Sequence, residues 1–280
     1  MLVCFLGFQI SNTGYAKPTR RVPATVEASP FSASLGGSLG IFAADPEVAP
    51  ADYSPKYDFS LGAFGEVGYG LFVLEAGYKQ GKGAVETHST ENFTDQLSAY
   101  FGTMHDTIKA ETFGATLWAK HQFRPWRVPV TPRLGIGYDQ NNITISREML
   151  DRTTGEQRAH INYDQKYRSL MLFLGLEIHP FWIVHVSADY GLSLTGQGTI
   201  KTDINLGGNP LTSDLNLGKS STKQFRVFLF FDVTKNIQFG TAFVQKNVTT
   251  ELGTMVTDLL GADLLHPYQQ YAYAFLRYSF

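Results

Sequence analysis

From about residue 31 to the end of the chain, apolar and polar positions alternate with a period of two. That period marks strands with two different faces. The segment 170–178 is the clearest: Leu170, Leu172, Leu174, Leu176 and Ile178 share one face, and Met171, Phe173, Gly175 and Glu177 share the other. In 182–194, Trp182, Val184, Val186, Ala188, Tyr190, Leu192 and Leu194 oppose His185, Ser187, Asp189, Gly191 and Ser193. The same rhythm runs through 72–79, 132–139 and 225–231. It predicts strands at 31–43, 57–69, 71–81, 108–123, 129–145, 162–179, 181–195, 222–232, 236–247 and 268–280.

The breaks between these segments alternate in length. Short ones fall at 69–70, 124–128, 179–180 and 233–235; long polar ones fall at 44–56, 82–107, 147–161, 196–221 and 248–267. Short turns at one end and long loops at the other, with both termini at the short-turn end, describe an up-and-down barrel. The expected fold is therefore all-β: a closed antiparallel transmembrane β-barrel of about ten strands, with eight and twelve as the neighbouring even numbers. No apolar run reaches the length of a spanning helix. A chain of this kind crosses a bilayer only as a closed barrel, because lipid offers the backbone no other partners.

A soluble barrel has the same period with its faces exchanged. Three features favour the membrane. Several predicted strands exceed the usual five or six residues. The polar faces carry Gly and Ser with isolated charges rather than runs of Lys and Glu. Tyr69, Phe72, Phe123, Trp126, Phe181, Trp182 and Phe231 gather at strand ends beside the short turns, where an interfacial girdle sits.

Before the strands, residues 2–10 form a short apolar stretch, and Gly14 and Ala16 set small residues before a cut after Ala16. The expectation is a signal peptide at 1–16, without a positive n-region, then a polar, Pro-punctuated periplasmic lead-in at 17–30 and the barrel at 31–280. Cys4, the single cysteine, falls in the signal segment. Cysteine catalysis and cysteine metal sites are thereby excluded from the mature chain. A formal net charge of −2 gives no basic surface for nucleic acid.

At the C-terminus, Phe280, Tyr278, Leu276, Ala274 and Ala272 fall on one face. This resembles the C-terminal β-signal of bacterial outer-membrane barrels: a terminal Phe, an aromatic two residues before it, and apolar residues at further steps of two. The resemblance implies an outer-membrane location, contact with outer-membrane lipid and lipopolysaccharide, and recognition of Tyr278 and Phe280 by the barrel-assembly machinery.

The charges predicted to face inward are Glu66, Glu75, Lys79, Lys120, Arg133, Asp139, Glu177, Asp189, Arg226, Asp232 and Arg277. Acids and bases nearly balance. A ten-stranded barrel is only slightly wider than the eight-stranded type that side chains fill, so the expectation is a lumen plugged by ion pairs; the alternative is a narrow path for ions or small solutes. His185-x-Ser187-x-Asp189 resembles the His-x-Ser element of the lipid A deacylase barrels. Same-face neighbours on one strand stand about 7 Å apart, too far for direct hydrogen bonds. These three are read as lumen structure near the periplasmic end. The ten-stranded omptin proteases use paired acids and an Asp/His pair. Neither Asp-x-Asp nor Asp-x-His occurs here, although Glu86 with His88 and His105 with Asp106 lie in the second long break. No metal cluster and no cofactor site is expected. The expected function is a non-enzymatic surface barrel that presents 82–107 (with Phe93, Tyr100, Phe101 and Met104) and 196–221 to an extracellular ligand.

Overall fold

A computed structural model describes residues 31–46, 54–56, 58–88, 101–123, 128–151, 154, 157–181, 183–206, 209–251 and 267–280. The expected signal segment and lead-in, and Phe93, Tyr100, Trp126 and Trp182, lie outside the described residues.

The strands are β1 (Phe31–Pro46), β2 (Ser54–Lys56), β3 (Asp58–Tyr69), β4 (Phe72–His88), β5 (Phe101–Lys120), β6 (Val130–Asp151), β7 (Gln157–Phe181), β8 (Val184–Leu206), β9 (Asn209–Asp232), β10 (Ile237–Thr250) and β11 (Pro267–Ser279). β2 is a three-residue piece paired with the far end of β4. The other ten pair antiparallel with their chain neighbours, and β1 pairs with both β3 and β11. That last pairing closes the ring and leaves it without an edge, the condition for crossing lipid. At one end lie the first and last strand termini and the tight β3–β4 turn, where Gly70 has φ +59°. Glycine alone takes that conformation without a Cβ penalty.

The strands are longer than the alternation predicts. β7, β8 and β9 run for 25, 23 and 24 residues, against the about 9–11 that cross a bilayer. Much of the expected loop at 196–221 is strand, because β8 and β9 stay paired out to Leu206 and Asn209. Strand likewise extends into 147–161 and 82–107, where Met149 pairs with Ala159 and His88 with Thr103. The physical reason is that backbone pairing continues beyond the lipid, while the apolar-out rule stops at its edge.

Side-chain exposure locates that edge. On β6, Leu134, Ile136 and Tyr138 point outward and are exposed. Opposite them on β7 lie Leu174, Leu172 and Leu170, also exposed. The next outward pair is Gln140 and Arg168. Beyond it the order reverses: Ile143 and Tyr167 are buried inside, while Lys166 is exposed outside. The belt therefore belongs in a bilayer, and the barrel above it is built like a water-soluble one. Exposed aromatics edge the belt on both sides, with Tyr69, Phe72, Phe181 and Phe231 at the short turns and Tyr78, Phe113 and Tyr138 at the other rim.

A test of the belt follows from Leu174, which is 60% exposed, and its neighbour Phe173, at 4%. Leu174→Arg or Val186→Arg is expected to cost about 2–4 kcal/mol, more than charge on the lumen face. Spin labels at positions 174 and 186 should be relaxed by lipid-soluble oxygen, and labels at 173 and 187 should not. The opposite pattern would mean that the faces are exchanged.

Candidate functional site

Inside the belt the lumen is polar, and its groups are arranged in tiers. The inward faces of β4, β6 and β8 place Gly at intervals between charged residues, which gives large side chains room to cross. A Cβ on Gly135 would lie 2.7 Å from the Trp118 ring. Trp118 can therefore lie against β6, 2% exposed, and donate its indole N–H to Glu75 Oε2 at 3.0 Å.

The middle tier centres on Asp189 of β8, whose carboxylate is fully buried. It accepts Arg133 of β6 in a two-pronged contact, Nε at 2.7 Å and the terminal nitrogen at 2.8 Å. Arg226 of β9 approaches the same carboxylate at 3.1 Å. Arg226 also reaches Glu75 of β4 at 2.9 Å. β9 and β4 are five places apart in the ring of ten, so this contact spans the full diameter. Both guanidinium groups lie over the Trp118 ring, at 4.8 Å and 5.5 Å from its centroid.

Other contacts between non-adjacent strands flank this tier. Arg277 of β11 forks onto Glu66 of β3 at 2.8 and 3.2 Å. Lys79 of β4 donates to the Tyr273 hydroxyl of β11 at 2.5 Å. Lys246 of β10 meets Asp139 of β6 at 2.6 Å, with its side chain 1% exposed. A cavity of about 220 Å³ remains between the tiers, with Glu66, Lys120, Arg133 and Arg226 among its walls.

Towards the long-strand end an apolar layer crosses the lumen. Phe42, Ile143, Tyr167, Leu217 and Val248 are all buried in one cluster with Tyr271. The rings of Phe42 and Tyr271 lie 4.9 Å apart.

At the short-turn mouth, Glu177 and His179 of β7 meet His185 of β8. His179 Nε2 lies 2.6 Å from Glu177 Oε1 and 3.2 Å from His185 Nδ1. His185 Nε2 lies 2.8 Å from Asp232 Oδ2, and Gln238 donates to the other oxygen of Asp232 at 2.7 Å. Phe230 stacks on the His185 ring.

Of the residues singled out by alternation, Glu66, Glu75, Lys79, Lys120, Arg133, Asp139, Glu177, Arg226 and Arg277 line the central cavity. Asp189 is buried beneath the two arginines, and Asp232 sits at the mouth. His185, Ser187 and Asp189 do not form a triad. Ser187 accepts a hydrogen bond from Arg133, Asp189 is held by the arginines, and His185 turns to His179 and Asp232. The backbone register sets Glu86 opposite His105 and Val85 opposite Asp106.

Sequence reasoning misses four contributors. Lys246 shares the inward parity of Gln238 and Gly240, a signal that could have found it. Trp118 and Tyr273 read as ordinary strand aromatics. His179 falls in the tight break at 179–180, so its partnership with His185 is invisible to alternation.

Ring closure, an outward apolar belt, a polar lumen and short turns beside both strand termini define the class: a bacterial outer-membrane β-barrel. No protein-family profile matches the chain, and no curated protein sequence matches it. Among solved structures, the outer-membrane protease OmpT of Escherichia coli is similar at 11% identity and TM-score 0.49, covering 90% of this chain and 98% of that one. A major outer-membrane protein of Thermus thermophilus is similar at 11% identity and TM-score 0.44, covering 89% and 99%. The toluene transporter TodX of Pseudomonas putida is similar at 9% identity and TM-score 0.34, covering 92% and 93%. Their roles are diverse, and none of them bears on the chemistry of this lumen.

Proposed function

We propose that this chain is a non-enzymatic outer-membrane barrel with a closed lumen, whose protruding strands form a contact surface outside the cell. The observation that supports closure is the fully buried apolar layer of Phe42, Leu217 and Val248 standing above the diametric Arg226–Glu75 contact. An ion crossing the lumen would have to displace paired charges and then pass a fully buried layer in which these apolar side chains sit beside Asn141, Gln165 and Gln269. The surface reading is supported by 211–216 of β9, where every residue is exposed and the strand runs beyond its pairing with β10, which ends at Ser220. Leu211 and Leu215 put apolar area there, beyond the bilayer belt. The ligand contact expected at 196–221 is thus offered by a paired hairpin rather than by an irregular loop.

The experiment is planar-bilayer recording of the purified barrel. The expected result is no steady conductance. A stable, ion-selective current from the wild type would replace this reading with the narrow-channel one.

Assembly through the C-terminal strand is part of the same proposal. Phe280 is 78% exposed on the lipid face, its ring 5.0 Å from that of Tyr278. Its N–H donates to the Ala33 carbonyl across the β1–β11 seam. The barrel-assembly machinery is the partner this face suits, while outer-membrane lipid and lipopolysaccharide are the partners of the wider belt. Deleting Phe280, or Tyr278→Asp, is expected to lower the heat-modifiable folded fraction in outer membranes. Wild-type levels in both variants would remove the assembly role.

A further inference from the structure

We infer that the short-turn mouth of the barrel binds a divalent transition-metal ion of the zinc type through Glu177 Oε1, His179 Nε2 and His185 Nδ1. These three residues are a group of potential metal ligands among the described residues, with ligand atoms drawn from the two adjoining strands β7 and β8.

The spacing of the hydrogen-bonding atoms carries the argument. His185 Nε2 faces Asp232 Oδ2 at 2.8 Å. A carboxylate accepts, so this nitrogen bears the hydrogen and Nδ1 of the neutral ring is left with a lone pair. That lone pair points at His179 Nε2 at 3.2 Å and lies 3.7 Å from Glu177 Oε1. Glu177 Oε1 is a second acceptor facing His179 Nε2, at 2.6 Å. One N–H of His179 therefore serves two acceptors. When His179 carries its hydrogen on Nδ1 instead, three atoms 2.6, 3.2 and 3.7 Å from one another all offer lone pairs, and a cation takes the place of the shared proton.

The geometry suits a small ion. Bonds of about 2.0–2.2 Å in a tetrahedral site set ligand atoms about 3.4 Å apart. Two of the three spacings, 3.2 and 3.7 Å, bracket that value. The 2.6 Å contact is a hydrogen bond and has to widen as the ion replaces the proton. Two imidazoles with one carboxylate favour zinc-type ions over calcium or magnesium, which take oxygen ligands. Asp232 supplies the carboxylate that orients a metal-bound histidine, and Gln238 holds Asp232 in turn. The ion has a route in: the His179 side chain is 24% exposed at the mouth. A fourth ligand position is left to solvent, and the bound ion would tie β7 to β8. The inference does not depend on whether the lumen conducts.

The test uses the full-length barrel without an affinity tag, refolded in detergent and stripped with EDTA. Zinc chloride is titrated by calorimetry, and cobalt(II) is added to a second sample for its visible absorption. The expected result is one zinc ion per barrel, a raised unfolding temperature, and tetrahedral-type cobalt bands. His179→Ala and His185→Ala should lose binding, and Asp232→Asn should weaken it by about 10–100-fold. His121→Ala, outside the cluster, should bind as the wild type does. Heat-modifiable mobility on gels confirms that each variant is folded; should His185→Ala not fold, the mouth-exposed His179→Ala carries the test. Absence of zinc binding by the wild type, unchanged binding in folded His179→Ala, or calcium displacing zinc at equal concentration would each overturn the site.

Discussion

Asp189→Ala should be among the most destabilising single substitutions in the barrel, at about 3–5 kcal/mol, because it leaves two buried guanidinium groups with less than their counter-charge. Arg133 would keep Ser187 and a distant Glu177 oxygen at 3.9 Å. Arg226 would keep only Glu75 among the acids it contacts. Arg226→Ala should cost less, since Asp189 retains its two-pronged contact with Arg133 and Glu75 retains the Trp118 N–H. Urea unfolding of both variants in lipid vesicles measures the order. Equal and negligible costs would mean that these side chains are solvated in an open lumen.

The apolar layer should be nearly as sensitive, and it should also govern conductance. Phe42 is 0% exposed and packs on Tyr271. It fits because β4 offers Gly81 beneath it, where a Cβ would lie 2.5 Å from the ring. Phe42→Ala is expected to cost about 3–5 kcal/mol, by lost transfer energy and the cavity left behind. Gly81→Val should disturb the same contact from the opposite side. If this layer seals the lumen, a barrel carrying Phe42→Ala together with Val248→Ser should show brief conductance events that the wild type lacks. Silence in that variant would assign closure to the ion pairs alone.

The proposed assembly signal is different in kind. Phe280 and Tyr278 are legible as a terminal pattern, and both lie on the lipid face. The role proposed for them concerns insertion rather than stability, so folded fraction is the appropriate readout, not denaturant midpoint.

The sequence by itself determined a closed antiparallel barrel of about ten strands, and which side chains face lipid between the short turns and the far rim; ring closure settled the number at ten. The sequence could do so because a bilayer imposes one rule on every strand: outward positions must be apolar and inward ones need not be. That rule writes a period of two directly into Leu170–Ile178 and its neighbours. By parity alone the sequence also pointed a set of charges toward the lumen, while it passed over Lys246. It did not reveal how far the strands continue. Beyond Tyr138 and Leu170 water wets the outside, and the apolar parity changes from Leu134 and Ile136 outside to Ile143 inside. On β8 and β9 an irregularity between Leu192 and Gln197 moves the phase again, so that Asp189 and Ile200 both point inward. Both changes look like the end of a strand, and the second obscures a paired hairpin. Nor could parity say which charge meets which. Arg226 and Glu75 are 151 residues apart in the chain. Only ring closure puts β9 opposite β4, and only the tight β7–β8 turn folds His179 back against His185. Pairing across a lumen is a property of the closed circle, and a one-dimensional pattern carries no measure of its diameter.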